Sequence, residues 1–149
     1  RLFDGMASLC GVVQKLTYEG ESGLRLDTFY DAILPQTIYT FTYEHNTLDW
    51  GMMVRQMLIL EDQTVAITRF YHTIVAMMAT IAKSTPDLPV VLSGGVFQNR
   101  YLSELVLDHF KQKKRRCYIG SQIPANDSAI ALGQAWHIIC NAAEVKSWR

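Results

Sequence analysis

Cysteine is scarce in this 149-residue chain: Cys10, Cys117 and Cys140 are an odd number, far apart, with no Cys-x-x-Cys spacing. That pattern argues against a disulfide framework or a zinc knuckle and for a reducing compartment. Charge of one sign is not in excess either. Lys+Arg and Asp+Glu number 14 each, so no global field recruits nucleic acid or an anionic membrane. The one basic run, Lys111 to Arg116, reads as the solvated end of a helix, where cations suit the dipole. No apolar run reaches membrane-spanning length, because Arg69 and His72 interrupt the longest helical stretch. Together these features lead us to expect a cytoplasmic protein with neither nucleic acid nor membrane as a partner. The 4 histidines show no His-x-x-x-His spacing, and no internal repeat stands out. There is also no initiating Met and no secretory segment. Arg1-Leu2-Phe3-Asp4 already sits inside an amphipathic pattern, so the expectation is the C-terminal part of something longer.

With 49% hydrophobic residues, the chain has enough apolar material for the core of one domain. Leu2, Phe3, Met6, Leu9, Cys10 and Val13 recur at helical spacing, with Asp4 off the stripe as a solvated acid near the helix start. Leu16 to Gly23 reads either as a connecting loop with Ser22 as a cap or as a loop that carries a polar contact. A second helical pattern through Leu24, Leu26, Phe29 and Ile33 stops at Pro35. Thr37 to Tyr43 alternates, Glu44-His45-Asn46 turns, and Thr47 to Trp50 returns, which predicts a hairpin. A helix through Met52, Met53, Met57, Leu58 and Leu60 follows, with Asp49 as its cap. The longest helix is predicted from Thr64 to Lys83 and buried on more than one side, with His72 a core or boundary histidine.

Pro89 to Leu92 is a short apolar run, and the amphipathic pattern Tyr101, Leu102, Leu105, Val106, Phe110 begins soon after it. Ser93-Gly94-Gly95-Val96-Phe97-Gln98-Asn99 therefore lies where a buried strand hands over to a helix, the place where ligands bind in open α/β sheets. The glycine pair is either a tight turn or a close-approach point for a ligand. Asn99 either caps the helix or turns its amide toward that ligand. Arg116 to Ile119 reads as a second strand. Pro124 to Ser128 turns into a last helix, Ile130 to Ile139, with Asn126 or Asp127 as cap and with small residues that let it sit close to another element. Interleaved strands and helices, roughly four strands in all, indicate a layered α/β domain.

Arg1-Leu2-Phe3-Asp4, Tyr18-Glu19-Gly20-Glu21, Ser93 to Asn99 and Pro124 to Gln134 resemble, in that order, the C-terminal end of the HypF carbamoyltransferases of NiFe-hydrogenase maturation. More broadly, they resemble the Kae1-like branch of the actin/hexokinase-type (ASKHA) ATPases. The resemblance runs from Arg1 to about Ala142 and implies the C-terminal half of a Kae1-like domain, a small sheet flanked by helices, as a single unit over residues 1–149. It implies a parent enzyme that uses carbamoyl phosphate and ATP to form carbamoyl-adenylate. That enzyme passes the carbamoyl group to the C-terminal cysteine of HypE, the acceptor, for the cyanide ligand of iron. It implies that Gly94 and Gly95 lie against the nucleotide, that Asn99 hydrogen-bonds it, and that Asp4 meets the ribose hydroxyls. Gly20 would lie near the sugar or base, with Glu19 or Glu21 adding a contact. Asp127 would be a ligand to a divalent metal, iron among the candidates, completed by histidines outside this chain. No residue here is assigned a catalytic role. The piece is expected to be silent in isolation, to pack in the parent against the preceding part of its own domain, and to self-associate through faces left open. The rival expectations are a tRNA threonylcarbamoyl transferase-like protein and a non-catalytic binding domain of the same fold.

Overall fold

A computed structural model of the chain describes residues 1–59 and 62–141. Its centre is the helix α4, Gln63–Ala82, started by Asp62, whose side chain accepts from the N–H groups of Thr64 and Val65. Burial runs almost without a break from Ala66 to Val75 along α4, so every side of its middle is covered. This helix is long and apolar enough, by length and composition, to cross a membrane, although over half of it is buried inside the protein. The interruption by Arg69 and His72 therefore does not by itself disqualify it, contrary to the expectation. What absorbs its apolar surface is the core.

Around α4 pack α1 (Leu2–Leu9), α2 (Glu21–Asp27), α3 (Gly51–Met57) and α5 (Arg100–Gln112). Met6, Leu26, Met53, Ile67, Phe70, Leu102 and Val106 are essentially inaccessible and form one cluster. Phe3 sets its ring edge-on to Phe70 at 5.2 Å and to Tyr71 at 5.6 Å. The polar members of α4 are as informative as the apolar ones. Thr68 accepts from the N–H of Asp31 and Thr73 from that of Tyr39, so two buried hydroxyls hold the irregular stretch between α2 and the hairpin.

That hairpin pairs β1 (Thr42–Glu44) with β2 (Thr47–Asp49). It closes on His45 and Asn46 with φ of 50° and 60°, the twist that suits a two-residue connection. It is shorter than the alternation from Thr37 predicts, because Tyr39 is buried against α4 and its neighbours follow it. The second helical pattern likewise ends at Asp27, well before Pro35. Gly20, not Ser22, stands at the N-cap of α2, and Ser22 is buried. Trp50 is the N-cap of α3, while Asp49 accepts from the N–H of Gly51. Leu60, expected in this helix, lies outside the described residues.

β3 (Val90–Leu92) runs parallel to β4 (Cys117–Ile119), with Val91 opposite Tyr118, and α5 forms the crossover between them. The four strands among the described residues thus form two separate pairs, not one layer. β3 is also not a buried strand, since only Leu92 is buried and Val91 is 68% exposed. The last helix, α6 (Ile130–Cys140), has no buried residue among those described. The close neighbour expected for its small residues is not present among them.

Candidate functional site

The C-terminal end of β3 delivers Gly94, whose φ of 112° and ψ of 154° suit glycine almost alone. A 3-10 turn, Gly95–Gln98, follows before α5 begins. Two contacts fix this turn. Ser103 Oγ donates to the carbonyl of Phe97 at 2.7 Å, and the N–H of Gly94 donates to the carbonyl of Ala125 at 2.5 Å. The second ties the glycine turn to the loop that carries Asn126 and Asp127. Asn126 caps the short 3-10 turn Asp127–Ala129 by accepting from the N–H of Ser128, so Asp127 keeps its carboxylate out of the capping role.

Opposite them is the loop before α2. Glu21, the first residue of α2, is buried and clasps that loop: Thr17 donates to it through N–H at 2.7 Å and through Oγ1 at 2.8 Å, and Arg25 Nε donates at 2.9 Å. These bonds, that of the Thr17 backbone first, hold its carboxyl below the ordinary range. The clasp sets up Gly20, at φ 85°, and leaves the neighbouring Glu19 facing open space.

Asp4, Glu19, Gly20, Gly95, Asn99 and Asp127 line one cavity of about 840 Å³, within the size range of small-ligand sites. Gly94 is not in that lining. It shapes the turn from behind through its backbone conformation and its bond to Ala125. Glu21 is likewise used internally, and the glutamate at the cavity is Glu19. Among the described residues the cavity wall carries the carboxylates Asp4, Glu19, Asp27 and Asp127 against the single cation Arg1, with Gln98, Asn126 and Ser128 as neutral polar groups. Such a wall suits hydroxyl donors and cation-bound anions better than bare phosphates. Among the described residues no three His, Cys, Asp or Glu side chains cluster as a metal site, so Asp127 does not hold an ion with them alone.

Of the two alternatives for Asn99, the structure takes the cap: its Oδ1 accepts from the N–H of Leu102 at 2.8 Å. Its Nδ2 donates to Asp27 Oδ1 at 2.5 Å and to the Tyr71 hydroxyl at 2.8 Å, and Tyr71 donates to the same Asp27 oxygen. Asp27 and Tyr71 were not legible as site residues. They lie 72 and 28 positions from Asn99, and no local pattern distinguishes them.

A family model described as "Carbamoyltransferase, Kae1-like Domain, second subdomain" matches residues 1–134. The chain belongs to this family. The HypF-type subdomain is 30% identical over 141 residues to the carbamoyltransferase HypF of Synechocystis sp., covering 90% of this chain and 18% of that protein. It is 24% identical to the carbamoyltransferase HypF2 of Cupriavidus necator, covering 91% of this chain and 21% of that one. A crystal structure of full-length HypF in its phosphate- and nucleotide-bound form superposes with a TM-score of 0.77 at 28% identity, over 89% of this chain and 22% of the other. The fold is therefore that of HypF's Kae1-like domain, of the ASKHA type. The chain spans about a fifth of the length of these relatives.

Proposed function

We propose that this chain forms one wall of the nucleotide site of a HypF-type carbamoyltransferase. The parent enzyme would hydrolyse carbamoyl phosphate to carbamate and phosphate, and the carbamate oxygen would attack the α-phosphorus of ATP, giving carbamoyl-adenylate and pyrophosphate. The C-terminal cysteine thiolate of HypE would then attack the carbamoyl carbon and AMP would leave. The observation that carries the reading is the convergence of Asp4, Glu19, Gly20, Gly95, Asn99 and Asp127, from four stretches of sequence, on one cavity. In this role Asp4 would accept from the two ribose hydroxyls, as a carboxylate does from neighbouring O–H donors. Gly95, with nothing within 4 Å of where a Cβ would stand, would let the ligand reach the backbone.

Asp127 would contribute one ligand to a divalent metal, iron among the candidates, whose other ligands lie outside the described residues. A bound ion would supply the positive charge that the acidic wall lacks. The preceding part of the same domain would form the opposite wall and cover α6, so the chain alone would be catalytically silent.

The test uses the full-length enzyme carrying this chain. Asp127→Ala is expected to abolish carbamoyl-phosphate-dependent pyrophosphate exchange while the protein remains folded, and Asp4→Asn to raise the KM for ATP. Wild-type exchange in the Asp127→Ala protein would contradict the metal role. Carbamoylation of tRNA in place of HypE would replace the acceptor.

A further inference from the structure

We propose that Asp27 and Tyr71 are positioning residues for the nucleotide wall, acting by fixing the carboxamide of Asn99 at the start of α5. The inference rests on the nucleotide reading above and names the groups that keep that wall in place. The last residue of α2, the middle of α4 and the N-cap of α5 meet at this point. Asp27 and Asn99 both line the cavity, and Tyr71 stands behind them, fully buried.

The chemistry allows only one orientation of the amide. A carboxylate can only accept and the N–H of Leu102 can only donate, so Nδ2 must face Asp27 and Oδ1 must face Leu102. Turning the amide over would set donor against donor at one end and acceptor against acceptor at the other. Nδ2 lies 2.5 Å from Asp27 Oδ1 and 2.8 Å from the Tyr71 oxygen, and these two atoms bond each other, so together they hold one side of the amide nitrogen.

Tyr71 can hold that place because its ring is confined. Phe3 packs edge-on at 5.6 Å and Tyr30 lies at 5.3 Å. Burial, and then the bond to Asp27, push its hydroxyl pKa far above the ordinary tyrosine value. It therefore keeps its proton for Asp27 and offers its oxygen to Asn99.

Capping alone does not require this arrangement. Ser, Thr or Asp would serve α5 equally well as an N-cap. An amide accepts for the cap through Oδ1 and, through a separate atom, Nδ2, donates toward the bonded carboxylate and phenol. A buried tyrosine hydroxyl would also be satisfied by Asp27 alone. The third member lies at the cavity.

The discriminating experiment is a pair of double-mutant cycles in the full-length enzyme with Tyr71→Phe, Asn99→Ser and the combination. Asn99→Ser keeps a capping oxygen and removes the Nδ2 donor. Affinity for α,β-methylene ATP is read by calorimetry, and the unfolding midpoint is read without nucleotide. Tyr71→Phe should weaken nucleotide binding roughly five- to tenfold, the scale of one lost hydrogen bond. It should add nothing in the Asn99→Ser background, and the KM for ATP should rise more than kcat falls. Binding within about twofold of wild type in Tyr71→Phe, or additive losses in the pair, would overturn the positioning role. Should Tyr71→Phe fail to fold, Asp27→Ala removes the shared acceptor from the cavity side and is held to the same outcomes. Wild-type enzyme with no affinity for the nucleotide would sink the nucleotide reading and this inference with it. Coupling in the unfolding cycle alone would then mark the three residues as a purely structural contact.

Discussion

Gly94 and Gly95 are adjacent, yet they serve different purposes. Gly94 holds a backbone conformation that L-residues rarely adopt, whereas Gly95 has an ordinary φ and open space where a Cβ would go. Gly94→Ala should therefore lower the unfolding free energy by roughly 1–3 kcal/mol. Gly95→Ala should change it by less than about 0.5 kcal/mol and act only on nucleotide affinity. Denaturant titration alongside calorimetry separates the two, and equal destabilisation would refute the division of roles. His72 gives a pH prediction at the same scale. Burial lowers its pKa from the ordinary 6.5, so the folded state takes up a proton less readily than the unfolded chain. Well above pH 6.5 the ring is neutral in both states and contributes nothing. As pH falls below that value, stability is lost progressively until the folded pKa is passed. Burial together with Lys113 and Lys83 lowers the pKa of His109, which adds a slope of the same sign. His72→Gln should flatten part of the decline in unfolding midpoint between pH 7 and 5, and an unchanged slope would remove His72 from the account.

Among the elements, the end of α5 shows how a sequence pattern can carry the right sign and the wrong use. The basic run is exposed at Lys111, Lys113, Lys114 and Arg116, as a solvated helix end should be. Arg115 departs from it. Its guanidinium donates to the carbonyls of Ala82, Thr85 and Leu88 and lies 5.8 Å from the centre of the Phe110 ring. One planar fork thus ties the C-terminus of α4 to that of α5, and so sets where β3 begins. Lysine offers a single ammonium and cannot span three carbonyls. Arg115→Lys should cost about 1–3 kcal/mol in thermal or denaturant unfolding, whereas Lys113→Ala should cost little. Similar values for the two would show the fork to be dispensable. The existence of α4, α5 and the β3-to-α5 handover was legible, because each rests on periodicity and local turn chemistry. Where α2 stops and how long the hairpin runs were not legible, since Thr68, Thr73 and the burial of Tyr39 decide them from another part of the chain.

Across the whole molecule, apolar surface is covered around α4 and left open on the parallel strands and α6. Val91 and Tyr118 on the parallel strands and Ile130, Leu132, Trp136 and Ile139 on α6 are all more than half exposed. Large apolar side chains exposed to this extent favour association. The chain by itself should sediment as concentration-dependent oligomers, and Trp136→Ser with Ile139→Ser should reduce them. A version that includes the preceding part of the domain should be monodisperse. Strict monomer behaviour of the isolated chain at high concentration would count against the open-face account.

The amino-acid sequence determined on its own the α/β character, the long core helix and the glycine turn, because those signals are local, and its resemblance to the HypF family supplied the candidate residues Asp4, Gly20, Gly95, Asn99 and Asp127. Only the tertiary structure decided that they share a cavity, that Gly94 and Glu21 work from behind it, and that Asn99 is held by Asp27 and Tyr71. Those facts depend on hydrogen bonds between groups tens of residues apart, whose meeting is set by how helices pack around α4 and leaves no trace in any one stretch of sequence.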